Sequence, residues 1–148
     1  MMKTLIVYYS KTGTTKKLAE KIAKIKNADI LELTVAPRTF PDDMYVTNDI
    51  AIKQREENNF PALISNVPSL DQYETVVVAG PNWGSELATP LATFLNEIQN
   101  YNGKVISVDT SVGQNDDKYN ANFRKGAGKL NVIATINGDV DEVVSTLN

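Results

Sequence analysis

The sequence contains no cysteine and no histidine. Without cysteine the protein has no disulfide, no thiolate zinc site, no cysteine-ligated iron–sulfur cluster and no cysteine nucleophile. Without histidine it has no Ser-His-Asp triad, no histidine-ligated haem and no imidazole metal ligand. Any chemistry must therefore use carboxylates, lysine, tyrosine, hydroxyls or a bound cofactor. A bound cofactor is the simplest of these explanations.

Long apolar segments are also missing. The longest uninterrupted apolar run near the start covers residues 5–9, which is too short for a signal-peptide core or a membrane span. We therefore expect a soluble, cytoplasmic protein without a membrane partner. The length of 148 residues is usual for one domain, which can bury roughly 70% of its unfolded surface. The prediction is a single domain over residues 1–148.

The formal net charge is only −3, but the charges are unevenly distributed. Residues 1–26 carry seven lysines against one glutamate, a net +6, whereas residues 27–148 carry eight basic and seventeen acidic residues, a net −9. The basic segment lacks the interleaved aromatic residues of many nucleic-acid surfaces. Lysines at helical spacing are more typical of a solvated helix face. We therefore expect no nucleic-acid partner.

Short apolar segments alternate with segments of helical periodicity along the chain. Runs rich in β-branched and aliphatic residues predict buried strands at residues 4–9, 30–35, 75–80, 104–109 and 131–136. The alternation predicts an α/β fold, a doubly wound, five-stranded parallel sheet with helices on both faces. In such sheets ligands bind beyond the carboxyl ends of the strands. The segments that follow the strands are therefore the candidate sites.

Polar residues predict where the helices begin. Hydroxyl and carboxylate side chains accept hydrogen bonds from the free N–H groups of a first helical turn. A polar helix is also expected near residues 48–58. The predicted caps are Thr14 or Thr15 for the first helix, Thr89 before Pro90 for the helix after the third strand, and Asp139 with Glu142 for the last helix.

The first candidate site is the loop of residues 10–15, which holds four hydroxyl side chains and one glycine directly before a helix. The free N–H groups and the dipole of a helix start favour an anion. Gly13 permits a tight turn, and hydroxyls can donate to phosphate oxygens. Lys16 and Lys17 fall in the first turn, where cations are disfavoured by about 0.3–1 kcal/mol each, a penalty that a phosphate would offset. The spacing alone fits both an ordinary cap and a phosphate site formed by Ser10, Lys11, Thr12, Gly13, Thr14 and Thr15.

The second candidate site is the segment of residues 80–86, directly after the most apolar strand. It contains Trp83, the only tryptophan of the chain. An indole that stacks on a flat heterocycle contributes about 0.5–1.5 kcal/mol beyond area burial, although a single tryptophan also fits a core or rim position. The position at a strand end favours a ligand contact. The candidate residues are Pro81, Asn82, Trp83, Gly84 and Ser85.

The third candidate site is the polar segment of residues 110–119, after the fourth predicted strand. It contains a glycine and a second candidate aromatic residue for a flat ligand. A solvated surface loop explains this segment equally well when it is considered by itself. The candidate residues are Thr110, Ser111, Val112, Gly113 and Tyr119.

Together the three segments resemble the flavodoxin family of small FMN-binding electron carriers. Residues 10–15 are similar to the family's Ser/Thr-x-Thr-Gly-Asn/Thr-Thr phosphate loop, which is the most specific part of the resemblance. Residues 80–84 are similar to the loop whose tryptophan stacks on the flavin. Residues 110–113, with Tyr119 behind them, resemble the second flavin loop, where a tyrosine often covers the opposite face. The resemblance covers most of the chain and implies the family's own strand order, 2-1-3-4-5.

The resemblance also implies FMN as the cofactor and a monomer that shuttles one or two electrons between redox partner proteins, a reductase and an acceptor. On this hypothesis the loop of residues 10–15 holds the phosphate and Trp83 stacks on the flavin ring. The Gly84–Ser85 peptide turns so that a carbonyl accepts a hydrogen bond from the reduced ring. The protein is then an electron carrier rather than a self-sufficient enzyme. Nearby acids (Glu86, Asp116 and Asp117) either steer a basic partner or keep the loops soluble.

Other functions use related folds. The main alternative is an FMN-dependent oxidoreductase that passes hydride from NAD(P)H to a quinone, although no extra substrate loop is evident. The sequence is also consistent with a binding module that holds no flavin. A signalling receiver domain needs clustered carboxylates at the strand ends, where this sequence offers only Asp109, and its chemistry excludes it.

Overall fold

Six strands and five helices form the part of the chain that the computed structural model describes, residues 3–111 and 116–148. Strands and helices alternate, as the apolar pattern predicts. The strands are β1 (Lys3–Tyr8), β2 (Asp29–Glu32), β3 (Tyr73–Trp83), β4 (Glu86–Leu87), β5 (Lys104–Thr110) and β6 (Asn131–Asn137). The helices are α1 (Thr14–Lys26), α2 (Met44–Glu56), α3 (Thr89–Glu97), α4 (Asp117–Ala127) and α5 (Val140–Leu147).

Five strands are parallel and follow the order β2-β1-β3-β5-β6. This is the predicted order 2-1-3-4-5, because the fourth and fifth predicted strands are β5 and β6. The predicted doubly wound α/β fold is therefore confirmed. The two-residue β4 was not predicted, and it pairs antiparallel with the end of β3. The strand order reverses between β1 and β3, which is where ligands bind in such sheets.

Both faces of the three central strands, β1, β3 and β5, are buried, which explains why these strands are apolar almost throughout. The edge strands β2 and β6 are mostly exposed or half-buried, so the prediction of buried strands there was wrong. Successive residues of a strand point to opposite faces. In β1, Leu5 and Val7 belong to the core that includes residues of α3 and α4, whereas Ile6 and Tyr8 belong to the core with α1 and α5. Helices cover the sheet on both sides, so the loops at its carboxyl edge follow strands that are packed in both cores.

Two of the predicted helix caps were wrong. Gly13 occupies the N-cap of α1 in a left-handed conformation, and the hydroxyl of Thr15 does not cap the helix. At α3 the N-cap is Ala88, and the Thr89 hydroxyl donates to Gln54 Oε1 at 2.6 Å. In both cases a threonine that could cap locally has a partner from a distant part of the chain instead.

The remaining helix starts carry aspartate caps. Asp139 accepts a hydrogen bond from the Glu142 N–H at 3.1 Å, as predicted for α5. α2 begins four residues earlier than expected, because Asp43 accepts from the Tyr45 N–H at 2.8 Å. Within the described ranges no helix is both long enough and apolar enough to cross a membrane.

Candidate functional site

The loops that follow β1, β3 and β5 meet at the carboxyl edge of the sheet. The Thr15 and Thr110 hydroxyls lie 2.8 Å apart, which joins the start of α1 to the end of β5. Pro81 pairs with Thr110 in the ladder between β3 and β5. Residues that are 95 positions apart in the chain thus share one site because parallel strands end at the same edge.

The loop of residues 10–15 leaves the first amides of α1 available to a ligand. The Gly13 N–H donates to Ser10 Oγ at 3.0 Å, and Gly13 takes a φ of 97°, which favours glycine. No described side chain caps α1, and its first turn holds no acidic residue. By contrast, α2, α4 and α5 are capped by Asp43, Asp116 and Asp139. The start of α3 also lacks a side-chain cap, but a proline in its first turn removes one of the free N–H groups there. The start of α1 is therefore a set of N–H donors suited to an anion.

The amides at the start of α1 lie beside open space and beside exposed hydroxyl groups. A Cβ at Gly13 would meet no described atom within 4 Å, so the loop is open in front of the glycine. Thr12 and Thr14 are exposed. The Lys11 ammonium donates to the Asp42 carbonyl oxygen at 3.3 Å. The donor set of amides and hydroxyls fits a phosphate group.

The second predicted segment, residues 80–86, is not an open loop: it consists of the end of β3, a two-residue turn and the start of β4, which together form a hairpin. Trp83 pairs with Glu86 across a two-residue turn, in which Gly84 has a φ of 65° and Ser85 a φ of 67°. Positive φ at both central positions is typical of a type I′ turn. A side chain at position 84 would meet nothing within 4 Å, which leaves Gly84 exposed at the tip.

Trp83 is buried at the base of this hairpin, with 4% of its surface exposed. It packs edge-on against Tyr9 at 5.9 Å and against Phe40 at 5.2 Å between ring centroids. In this structure the indole therefore offers no open face for the stacking on a flavin that the resemblance implies. Burial raises the pKa of Tyr9 to about 12, so this residue is neutral at ordinary pH. Tyr9 and Phe40 were missed as site residues. Phe40 lies in the irregular connection after β2, where no periodic pattern indicates that an aromatic residue will reach the hairpin.

The third predicted segment is only partly described. Val112 and Gly113 lie outside the described residues, and Ser111 is exposed at the end of β5. Tyr119 was expected to cover a flavin, but its side chain is 1% exposed and packs in the core under α4. Its hydroxyl has no hydrogen-bond partner among the described residues, and burial raises its pKa. The ring therefore offers no free face to a ligand in this structure.

A network of amides and carboxylates lies beside the hairpin. The Asn82 side chain donates from Nδ2 to Asp116 Oδ2 at 2.8 Å and to Asp109 Oδ2 at 3.2 Å. Asp109 also accepts from Asn137 Nδ2 at 2.6 Å, and the Ser85 hydroxyl donates to Asp116 Oδ2 at 2.8 Å. The sequence indicated Asn82 and Ser85 as ligand contacts, but their side-chain partners come from the end of β5 and from the N-cap of α4.

The two carboxylates of this network have opposite pKa shifts. Burial raises the pKa of Asp109, and the hydrogen bonds from Asn137 and Asn82 offset only part of that effect. The pKa of Asp116 is lowered, first by the hydrogen bond from Asn82 and then by those from the Tyr119 N–H and the Ser85 hydroxyl. Asp116 therefore stabilises the network in its ionised form.

A family model for flavodoxins matches residues 3–142, nearly the whole described chain. The chain belongs to the flavodoxin family. A flavoprotein from Lactobacillus acidophilus NCFM, crystallised in complex with FMN, is 39% identical to this flavodoxin, with 100% of both chains covered and a TM-score of 0.93. The apo-form of the flavoprotein from the same organism, solved by NMR, is 38% identical over 97% of this chain and 96% of that one, with a TM-score of 0.78.

More distant structures share the fold alone. A protein from Bacteroides uniformis is 24% identical over 99% of this flavodoxin and 97% of its own chain, with a TM-score of 0.80. A comparison with curated proteins found no match. The detailed likeness therefore rests on the L. acidophilus structures, of which the crystal structure covers the whole chain and so every loop of the candidate site.

Asp116 makes the stability of this flavodoxin depend on pH. Because its folded pKa lies below the ordinary 3.8, its contribution is present above that value and is lost as the pH falls through the folded pKa. We expect Asp116→Asn to lower the melting temperature at neutral pH, and the difference from the wild type to vanish at strongly acidic pH. Melting curves of both proteins across this range test the prediction. Asp117→Asn, on the exposed side of the same helix start, is the control, and an equal pH dependence in both variants would contradict it.

Proposed function

We propose that this flavodoxin binds FMN at the carboxyl edge of its sheet and carries electrons between a reductase and an acceptor protein. The observation that carries the proposal is the start of α1. Among the described side chains none caps it, its N-cap Gly13 is left-handed, and the space in front of Gly13 is open. A phosphate that accepts from these amides would supply the acceptors that a capping side chain supplies elsewhere.

Different residues of the loop of residues 10–15 would have different roles in holding the phosphate. The N–H groups of the first turn of α1 and the hydroxyls of Thr12 and Thr14 would donate to phosphate oxygens. Ser10 holds the loop in shape, because its Oγ already accepts from the Gly13 N–H. Thr15 ties the loop to Thr110. The lysines at positions 16 and 17 are exposed and would add favourable charge, which offsets their unfavourable place in the helix dipole.

The aromatic cluster of Tyr9, Phe40 and Trp83 gives the ring end of the site an apolar wall. These residues exclude water from the base of the hairpin, since Tyr9 and Trp83 are both less than one tenth exposed. An environment poor in water disfavours negative charge on a bound ring and so lowers its reduction potential. FMN would supply the one- and two-electron chemistry, and the chain would supply binding, orientation and control of that potential.

The acidic residues near the hairpin are not equivalent as partner contacts. Asp116 is occupied by hydrogen bonds from Asn82, Ser85 and the Tyr119 N–H. Asp117 is exposed and forms no ion pair within the described ranges, whereas Glu86 is half-buried and its charge already acts on the Arg55 guanidinium. We therefore assign the attraction of a basic redox partner first to Asp117 and only second to Glu86.

The proposal is supported by the L. acidophilus flavoprotein, which was crystallised with FMN and is 39% identical over the full length of both chains. A carrier is favoured over an oxidoreductase because the described chain has only short connections at the carboxyl edge, apart from the stretch between β2 and β3. That stretch contributes Phe40 to the aromatic cluster and a bridge between Val35 and Leu63, so part of it belongs to the fold itself.

Flavin titration tests both parts of the proposal. We expect FMN to bind tightly with quenching of its fluorescence, and riboflavin, which lacks the phosphate, to bind about a hundredfold more weakly or worse, since roughly two charge-assisted hydrogen bonds are lost. The loaded protein should accept electrons from NADPH only when a flavodoxin reductase is added. If FMN and riboflavin bind equally, the phosphate site is wrong. If the loaded protein turns over NAD(P)H with a quinone and no partner, it is an oxidoreductase instead.

A further inference from the structure

The turn at the end of the β3–β4 hairpin is held in an unusual backbone conformation. Ser85 has a φ of 67°, which L residues other than asparagine and aspartate rarely adopt. Three hydrogen bonds hold this residue in place: its N–H donates to Asn82 Oδ1 at 2.7 Å, its hydroxyl donates to Asp116 Oδ2 at 2.8 Å, and its carbonyl oxygen accepts from Asn122 Nδ2 at 2.9 Å. The conformation is therefore imposed by neighbouring side chains.

The orientation of the Asn82 amide follows from its surroundings. The two carboxylates, Asp109 and Asp116, accept hydrogen bonds and, when ionised, cannot donate them. The NH₂ group of Asn82 must therefore face them, as the distances of 3.2 and 2.8 Å show. With the NH₂ group so placed, the carbonyl of the same amide faces the Ser85 N–H. The two carboxylates therefore determine that the carbonyl of Asn82, and not its NH₂ group, faces the hairpin.

Because the peptide bond is planar, the orientation of the Asn82 amide also determines the direction of the Gly84 carbonyl. In a trans peptide the N–H and the C=O point in opposite directions. Because the Ser85 N–H points to Asn82, the carbonyl of Gly84 points away from Asn82. Turning this peptide over would require the Ser85 N–H to leave its 2.7 Å partner.

We propose that Asn82, oriented by Asp109 and Asp116, is a positioning residue that selects which way the Gly84–Ser85 peptide faces. Its effect on a bound flavin rests on the proposed function, because only then does the tip of the hairpin border a cofactor. The effect on the peptide itself does not require a cofactor. Asn82 acts through the Ser85 amide and needs no contact with the flavin.

The test uses the full-length protein without flavin and compares two asparagine variants. Asn82→Ala removes the acceptor of the Ser85 N–H, whereas Asn137→Ala removes a hydrogen bond to Asp109 without touching the hairpin. We expect hydrogen exchange of the Ser85 amide to become up to about tenfold faster in Asn82→Ala, the effect of losing one net hydrogen bond. Exchange in Asn137→Ala should match the wild type once both are corrected for global stability. Unchanged exchange in Asn82→Ala, or equal acceleration in both variants, overturns the proposal.

A second pair of variants covers the case in which Asn82→Ala does not fold. Ser85→Ala removes the hydroxyl bond to Asp116 but keeps the backbone N–H, so exchange at position 85 should stay slow. Asp116→Asn should accelerate it, because the new amide uses its oxygen for the Tyr119 N–H and presents its NH₂ group to that of Asn82. Slow exchange in Asp116→Asn would overturn the proposal.

With FMN bound, the same variants test whether Asn82 also affects the reduction potential of the flavin. Asn82→Ala should raise the one-electron reduction potential relative to Asn137→Ala, because the peptide turns more easily toward a reduced ring. A potential equal to that of Asn137→Ala overturns the link to the flavin. Should FMN fail to bind the wild type, the proposed function is wrong, while the exchange measurements on the flavin-free protein still decide the role of Asn82.

Discussion

Replacing Gly13 by valine is expected to lower the affinity for FMN by about a hundredfold or more. Gly13 has a φ of 97°, and a branched side chain there strains the backbone and shifts the amides that follow it. The same side chain would fill the open space in front of the loop, where a Cβ now meets nothing within 4 Å. Loss of about two charge-assisted hydrogen bonds, at roughly 1.5 kcal/mol each, corresponds to that factor.

The control for backbone strain is Gly138→Val. Gly138 also has a positive φ, 76°, and also precedes a helix, but it lies outside the loop of residues 10–15. Both variants should melt at lower temperature, and only Gly13→Val should lose FMN binding, measured by fluorescence quenching at a temperature where both are folded. A Gly13→Val protein that binds FMN as the wild type does would remove the basis for the phosphate site.

Replacing Trp83 by alanine is expected to lower both the free energy of unfolding and the affinity for FMN. The side chain is 4% exposed and makes edge-on contacts with Tyr9 and Phe40. Truncating a buried tryptophan leaves a cavity and costs about 3–5 kcal/mol. The ring end of the cofactor site would lose its largest apolar side chain, so FMN should bind about tenfold more weakly, the scale of one aromatic contact. Denaturant unfolding and flavin titration measure the two effects.

Milder variants separate stability from binding at this position. Trp83→Phe keeps an aromatic ring against Tyr9 and should lose less stability than Trp83→Ala, with a smaller loss of FMN affinity. Phe94→Leu is the matched control, because Phe94 is fully buried in the same core but lies on α3. It should lower stability and leave FMN affinity unchanged. Equal loss of affinity in Phe94→Leu and Trp83→Phe would show that Trp83 acts through general stability.

The apolar pattern was enough to predict the sheet because burial on both faces leaves strands few alternatives to aliphatic residues. The segment around Val77 is the clearest case, since its neighbours Val76 and Val78 face the opposite core and all three are fully buried. The short β4 could not be predicted in this way. Its two residues are too few for a periodic pattern, and the pairing depends on a turn with positive φ at both Gly84 and Ser85.

Helix starts were harder to predict where a polar side chain had two possible partners. Asp139 caps α5 as expected, since its carboxylate reaches the Glu142 N–H within the same segment. Thr15 could also have served as a cap, yet its hydroxyl meets Thr110, 95 positions away. Local propensity decides such a choice only when folding brings no competing group near.

By itself, the sequence determined that this protein has neither thiol nor imidazole chemistry, that its central strands are buried on both faces, and that a glycine and hydroxyls open its first helix. Those properties depend on composition and on neighbours along the chain. Only the tertiary structure decided that Phe40 covers Trp83, that Tyr119 is buried, and that two aspartates orient Asn82. Hydrogen bonds and ring contacts between distant residues depend on which strands and helices pack together, and folding alone brings those partners within reach.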